Sequence, residues 1–188
     1  KKRKPISLDN LKILQERCFA MDDDLRHLVS LISDTGMRLS EATGLMKSDL
    51  NVDDDYPHLV IQPYPHRSLK TLSSERTVPL VGSSLWAAKQ ILNNTDSIYC
   101  FSRYTSASGC NANSASAAIN KWIKTVAGSE AVIHGLRHSF RDRLRAVEAP
   151  SEVIDQLGGW SLKTIGQGYG SGYQLNILTK WLEKIVIR

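Results

Sequence analysis

Apolar residues spaced three and four apart recur along most of this chain, a period that calls for packed helices and leaves room for little sheet. Leu8, Leu11, Leu14 and Cys18 line one face of a first helix, which Ser7 can cap and which runs to about Phe19. Asp22, Asp23 and Asp24 place negative charge where a second helix begins, favoured there by the helix dipole. Its apolar face is Leu25, Leu28, Val29 and Ile32, and Thr35-Gly36 ends it. A short third helix is expected from about Ser40 to Met46.

The period changes between Asn51 and Pro79. Leu59-Val60-Ile61 reads as a strand, and Arg67–Leu72 with Glu75–Pro79 reads as a hairpin turning at Ser73-Ser74. Helical spacing returns at Ser84–Leu92, at Ala115–Val126 and at Leu136–Val147, where Leu136, Phe140, Leu144 and Val147 face a core. Pro150-Ser151 opens a short helix to Leu157, and Leu175–Ile185 is a last amphipathic helix. The fold class that follows is mainly α with a small antiparallel β-sheet, an α+β arrangement.

At 188 residues the chain can bury a core without staples. It holds no apolar run long enough for a membrane span, and no charged start leading into an apolar stretch as in a secretory signal. Cys18, Cys100 and Cys110 are far apart and odd in number, which excludes a four-cysteine zinc site and points to plain thiols in a reducing compartment. The net charge is +5, but Lys1, Lys2, Arg3 and Lys4 supply most of it and the rest is nearly neutral. An anionic partner must therefore be argued from where individual charges sit. The basic run ends at Pro5 and reads as a linker, residues 1–6, ahead of a domain over 7–188.

Four places carry residues that packing alone does not ask for. Arg38 follows a glycine stop, with Glu41 three residues on to steady its guanidinium or simply to pair with it at the surface. Lys70 lies at the mouth of the expected hairpin, either reaching across a groove or solvated like most lysines. His134 and Arg137 stand three apart at a helix start, where both can face one anion. The same helix carries Arg141, Arg143 and Arg145, a stripe suited to a phosphate backbone or an ordinary solvated face. Trp160 is followed nine residues later by Tyr169, set among Gly166, Gly168, Gly170 and Gly172.

Together these residues suggest one reaction. A tyrosine that attacks a phosphodiester must lose a proton from a phenol of pKa about 10. Cationic and N–H donors must hold the non-bridging oxygens as charge grows on phosphorus, each worth about 100- to 1000-fold in rate. A lysine can protonate the departing oxygen. No carboxylate or histidine cluster at ligand spacing is present, so neither metal nor other cofactor is expected.

The ordered set resembles the tyrosine recombinases, the phage integrase family, from about residue 10 to the end. Their pattern is an arginine in a TGxRxxE context, a hairpin lysine, HxxR, a histidine or tryptophan, then a tyrosine. It falls here on Arg38 with Glu41, Lys70, His134 with Arg137, Trp160 and Tyr169. The step from Trp160 selects Tyr169 over Tyr173. The resemblance implies the helical catalytic-domain fold with a small three-stranded sheet. It also implies site-specific DNA strand exchange through a 3′-phosphotyrosyl link and a free 5′-hydroxyl, without metal or ATP, for integration or excision of a mobile element. In that reading Arg38 and Arg137 clamp the phosphate and His134 assists proton transfer from Tyr169. Lys70 protonates the leaving oxygen, and Trp160 bonds or packs at the phosphate.

Implied partners are double-stranded DNA attachment sites, three further copies in a tetramer, and accessory DNA-bending proteins. The implied setting is the prokaryotic cytoplasm, at the nucleoid. Residues 1–6 would be the linker from a core-binding domain of a longer protein, a nuclear localisation signal being the other reading. Leu175, Leu178, Trp181, Leu182 and Ile185 on helix 175–185 could dock on a neighbour or on their own domain. The chain departs from the family in having Trp160 where histidine is usual, Lys47 where tryptophan is usual, and many glycines around Tyr169. A type IB topoisomerase shares the same chemistry, and a DNA-binding relic would share the fold; both stay open at this point.

Overall fold

The computed structural model describes residues 3–160 and 170–188. Helices α1 (Leu8–Met21), α2 (Asp24–Ser33) and the short α3 (Leu39–Thr43) come first. The strands β1 (Leu50–Asn51), β2 (His58–Ile61) and β3 (Arg76–Pro79) follow, then α4 (Gly82–Asn93). A small hairpin, β4 (Thr105–Ser106) and β5 (Gly109–Cys110), leads into α5 (Ala112–Ala127), α6 (His134–Ala146), α7 (Ser151–Gly158) and α8 (Leu175–Glu183).

Local chemistry sets the helix ends. The Ser7 hydroxyl accepts from the Asn10 N–H at 3.3 Å and the Asp23 carboxylate from the Arg26 N–H at 3.0 Å, so each cap satisfies a donor that has no partner within its helix. Helix α2 is the hub of the helical layer: α1, α3, α4, α5 and α6 all pack on it. Leu28, Leu31 and Ile32 are fully buried there with Leu14, Leu45, Phe101 and Phe140.

The antiparallel sheet has the order β1-β2-β3, with Leu50 opposite Leu59 and Leu59 opposite Val78. The hairpin expected between Arg67–Leu72 and Glu75–Pro79 is not formed. Strand β3 pairs with β2 instead, with His58 opposite Pro79 and Ile61 opposite Arg76. Residues 62–67 do not continue as a strand because Tyr64 and Arg67 exchange backbone hydrogen bonds at 3.0 Å, while the Tyr64 hydroxyl donates to Asp49 Oδ1 at 2.5 Å. Leu72–Ser74 then makes a 3-10 turn. The pair β4/β5 and strand β1 were not expected; at two residues each they carry no readable alternation.

Helix α8 ends at Glu183, two residues short of the expected 185. It docks on its own domain against β3, burying Leu178 and Leu182. The segment before α1 also packs inward: Ile6 is buried, and the Ser139 hydroxyl on α6 donates to the Ile6 carbonyl at 2.6 Å.

Candidate active site

The turn that ends α2 organises the site. Gly36 has φ +65°, and a Cβ there would meet the Phe140 ring at 2.3 Å, so glycine both allows the turn and lets α6 come close. Arg137, three residues before Phe140 on α6, then reaches the same turn, and its Nη1 donates to the Gly36 carbonyl at 2.5 Å. Two residues past Gly36, Arg38 leads into α3. Its backbone N–H donates to Glu41 Oε2 at 2.9 Å, and its Nη1 donates to Glu41 Oε1 at 2.8 Å and to the Ser74 hydroxyl at 3.1 Å.

Glu41 is only 2% exposed, and a buried carboxylate needs compensation. Arg76, on β3, supplies it: Nη2 lies 3.0 Å from Oε2 and Nη1 3.2 Å from Oε1. Its remaining donors go to the carbonyls of Ser74, at 2.7 Å, and Leu157, at 2.9 Å. Burial alone would raise the Glu41 pKa. The Arg76 charge, with the hydrogen bonds from Arg76 and Arg38, outweighs it and holds the carboxyl below its ordinary range. Arg76 is in turn lowered by its own burial, with Glu41 opposing.

Arg137 and Arg141 close the cluster. The Trp160 ring lies 4.3 Å from the Arg137 guanidinium and 4.7 Å from that of Arg141, so one indole carries two cations. Glycine makes room for it. A Cβ on Gly158 would lie 1.8 Å from Trp160 Cζ3, and the Trp160 N–H is anchored to the Asp155 carbonyl at 3.0 Å. Asp155 also faces Arg141 at 3.5 Å. Burial, then the charges of Arg38 and Arg76, push Arg137 well below an ordinary guanidinium, and its buried Nη2 has no partner among the described residues. His134, one turn earlier on α6, is pushed down to about 4 by burial and by the positive charges of Arg3, His138, Arg137 and Arg38. Four guanidiniums thus face two carboxylates beside a neutral imidazole, an arrangement complementary to an anion.

The chain matches the model of the phage integrase family over residues 9–173. The chain belongs to the phage integrase family. Its fold is similar to the Tn1549 transposon integrase solved with circular intermediate DNA, at TM-score 0.65 and 15% identity, covering 99% of this chain and 68% of that one. It is similar also to the XerH site-specific recombinase in a post-cleavage complex with palindromic difH, at TM-score 0.64 and 18% identity, covering 97% of this chain and 50% of that one. The chain therefore spans between half and about two thirds of these structures. No curated protein sequence matches it. The family places it among the tyrosine recombinases, as a catalytic-domain DNA strand-transferase, and favours neither the topoisomerase nor the relic reading.

In this integrase-family domain the expected site residues fall into separate groups. Arg38, Glu41, Arg137 and Trp160 meet in one cluster, with His134 in electrostatic range of Arg38 and Arg137. Lys70 is exposed, on the long β2–β3 connection rather than at a hairpin mouth. It shares a cleft of about 370 Å³ with Ser40, His66 and Arg67. The connection is tied to the cluster at Thr71, whose hydroxyl bonds that of Ser74 at 2.9 Å. Tyr169 lies outside the described residues.

The basic stripe on α6 divides. Arg141 takes part in the cluster, and Arg145 is exposed beside Asp142 at 3.6 Å. Arg143 turns into the fold. Its Nη2 donates at 2.6 Å to both buried Asp34 and the Ile185 carbonyl, and its Nη1 to the Ser33 carbonyl at 2.9 Å. A helix face cannot be assigned as solvated from charge alone when a buried carboxylate waits in the core. Arg76, Ser74 and Asp155 are further site residues that sequence reasoning did not single out. The burial of Glu41, which calls for more than one cation, shows only once the chain is folded.

Proposed function

We propose that this chain is the catalytic domain of a site-specific recombinase that integrates or excises a mobile element at double-stranded DNA attachment sites. The observation that carries it is the convergence of Arg38, Arg137 and Trp160, from three separate parts of the chain, where the buried Arg137 Nη2 has no partner among the described residues. Arg38 and Arg137 hold the two non-bridging oxygens of the scissile phosphate. Tyr169 Oη attacks phosphorus, its proton passes to His134, and the P–O5′ bond breaks. The electron pair leaves on O5′, which takes a proton from Lys70. The 3′-phosphotyrosyl bond retains the energy of the phosphodiester, so a 5′-hydroxyl from a partner strand reverses the step. His134 is neutral in the free protein and so has a nitrogen free to accept a proton, and a bound phosphate's negative charge raises the basicity that burial and the arginines lower; Lys70 is carried by the exposed connection that is tied to Ser74.

Tyr173 is a poor alternative nucleophile. Its hydroxyl bonds Glu152 Oε2 at 3.4 Å, and a carboxylate beside the attacking oxygen opposes approach to a phosphate. The working assembly in this reading is a homotetramer on two duplexes in the prokaryotic cytoplasm, with accessory proteins bending the DNA. Residues 1–6 link to a core-binding domain. Among the described residues no helix is long and apolar enough to cross a membrane. The test uses nicked duplexes that lose the 5′-hydroxyl fragment after cleavage. A detergent-resistant adduct mapping to Tyr169, abolished by Tyr169→Phe with DNA binding retained, is the expected result. An adduct at Tyr173 keeps the strand-transfer reaction and overturns the choice of Tyr169; none with the longer protein on its own flanking DNA overturns the proposal.

A further inference from the structure

One end of one helix holds both flanks of the stretch that contains Tyr169. On the near side, the Trp160 N–H donates to the Asp155 carbonyl at 3.0 Å and the indole lies against Gly158. On the far side, the neighbouring residue Gln156 pairs with the backbone of Tyr173 in both directions. The Tyr173 N–H donates to Oε1 at 2.8 Å, and Nε2 donates to the Tyr173 carbonyl at 3.0 Å. This reciprocal pair imitates a strand bridge with a side chain, and it spends both ends of the Gln156 amide on one residue. Gly172 makes the approach possible. It has φ +77°, and a Cβ there would meet Gln156 Oε1 at 2.8 Å. A cleft of about 820 Å³ runs alongside, lined by Arg76, Asp155, Gln156, Trp160 and Tyr173, so the clamp and the guanidinium cluster share one space.

We propose that Gln156 is a positioning residue for the nucleophile: by clamping the Tyr173 backbone to the end of α7, it sets where Tyr169, four residues earlier, can reach over the phosphate held by Arg38 and Arg137. This rests on the reading of Tyr169 as the attacking group. The physical basis is that in-line attack tolerates little error in position, a misplacement of about 1 Å costing on the order of 100-fold. A tether that touches neither phosphate nor tyrosine can therefore control rate without contributing to DNA affinity.

The experiment compares two reactions of the same phosphodiester in the full chain carrying Gln156→Met, which keeps the length and removes the amide. The first is adduct formation by Tyr169 on a nicked duplex. The second, in a Tyr169→Phe background, uses hydrogen peroxide as the nucleophile: the hydroperoxide oxygen bonds to phosphorus, the P–O5′ bond breaks and O5′ takes a proton. Gln156→Met is expected to slow the first reaction by about 10- to 100-fold. It leaves the peroxide reaction and DNA affinity near their unsubstituted values. Gln156→Glu, which keeps an acceptor for the Tyr173 N–H, falls between, and it carries the comparison if the methionine variant fails to fold. Equal slowing of both reactions, or of neither, overturns the clamp. A wild-type adduct at Tyr173, or none at all, overturns the tyrosine assignment as well, and is told apart because it shows before any Gln156 variant is made.

Discussion

Trp160 lies against two arginines of the cluster, and its geometry predicts that stacking rather than hydrogen bonding is its main contribution. Its ring is 4.3 Å from the Arg137 guanidinium and 4.7 Å from that of Arg141, both partly withdrawn from water. At about 1 kcal/mol for each such contact, the pair contributes about 2 kcal/mol to holding the cations in place. If that orientation is needed in the transition state, Trp160→Ala slows single-turnover cleavage by roughly 30-fold, one decade being about 1.4 kcal/mol. Trp160→Phe keeps a ring and loses the N–H; Trp160→His keeps an N–H and loses most of the stacked surface. Stacking predicts that phenylalanine retains more activity than histidine. Gly158→Ala provides an independent check, since its Cβ would fall 1.8 Å from the indole and force it off Arg137. The assay is cleavage of a nicked duplex at saturating protein, with thermal melts to confirm folding. A histidine variant near wild type beside a phenylalanine variant as slow as alanine refutes the argument, and so does a silent Gly158→Ala.

Glu41→Gln should destabilise the fold by about 3–5 kcal/mol in urea melts, because it leaves Arg76 and Arg38 facing a neutral amide. The Glu41 carboxyl is held below its ordinary pKa, so its stabilisation is present above the ordinary carboxylate range and lost as pH falls through the folded value; the variant lacks that acid slope. His134 is lowered to about 4 from 6.5, so the unfolded chain binds the extra proton between those values and stability falls as pH drops through that window. An imidazole NMR titration of the free protein should show that low midpoint, and its rise on binding DNA; a free midpoint at or above 6.5 removes the effect. Arg143→Met should cost stability without changing the salt dependence of DNA binding, whereas a phosphate contact by Arg145 predicts that Arg145→Gln lowers the logarithmic salt slope by about 0.9. The reverse pattern would return Arg143 to the surface.

The helical layer was readable because apolar spacing is local and the first helices carry their own signals: Ser7 as a cap, the Asp22–Asp24 charge at the start of α2, and Thr35-Gly36 as a stop. Arg38 with Glu41 was readable for the same local reason, being three residues apart. What escaped depends on distant partners. Arg76 reaches Glu41 across 35 positions, and its inward aim follows from β3 pairing with β2 rather than with Arg67–Leu72. That mispairing arose because nothing in the composition of residues 62–75 reveals that Tyr64 is claimed by Asp49. Arg143 looked like a surface charge because Asp34, its buried partner, lies 109 positions away. The Gly158–Trp160 contact is local, but its meaning depends on α6 bringing Arg137 and Arg141 to the other side of the ring.

Clustering Arg38, Arg76, Arg137 and Arg141 in a partly buried site is unfavourable on its own, since like charges repel more strongly away from water. The domain offsets this by giving each guanidinium a fixed acceptor or ring: Glu41 for Arg38 and Arg76, the Gly36 carbonyl for Arg137, Asp155 for Arg141, and Trp160 for the last two. Those acceptors sit on the short helices α3 and α7 and on the turns that directly follow α2 and α7. The cations are therefore already oriented before a phosphate arrives, and little reorganisation remains for the transition state. Compensation is incomplete at two atoms: Arg141 Nε is buried without a partner among the described residues, and so is Arg137 Nη2. A phosphate oxygen that accepts from it relieves both the unsatisfied donor and the mutual repulsion, so DNA binding and the stability of this cluster must rise together.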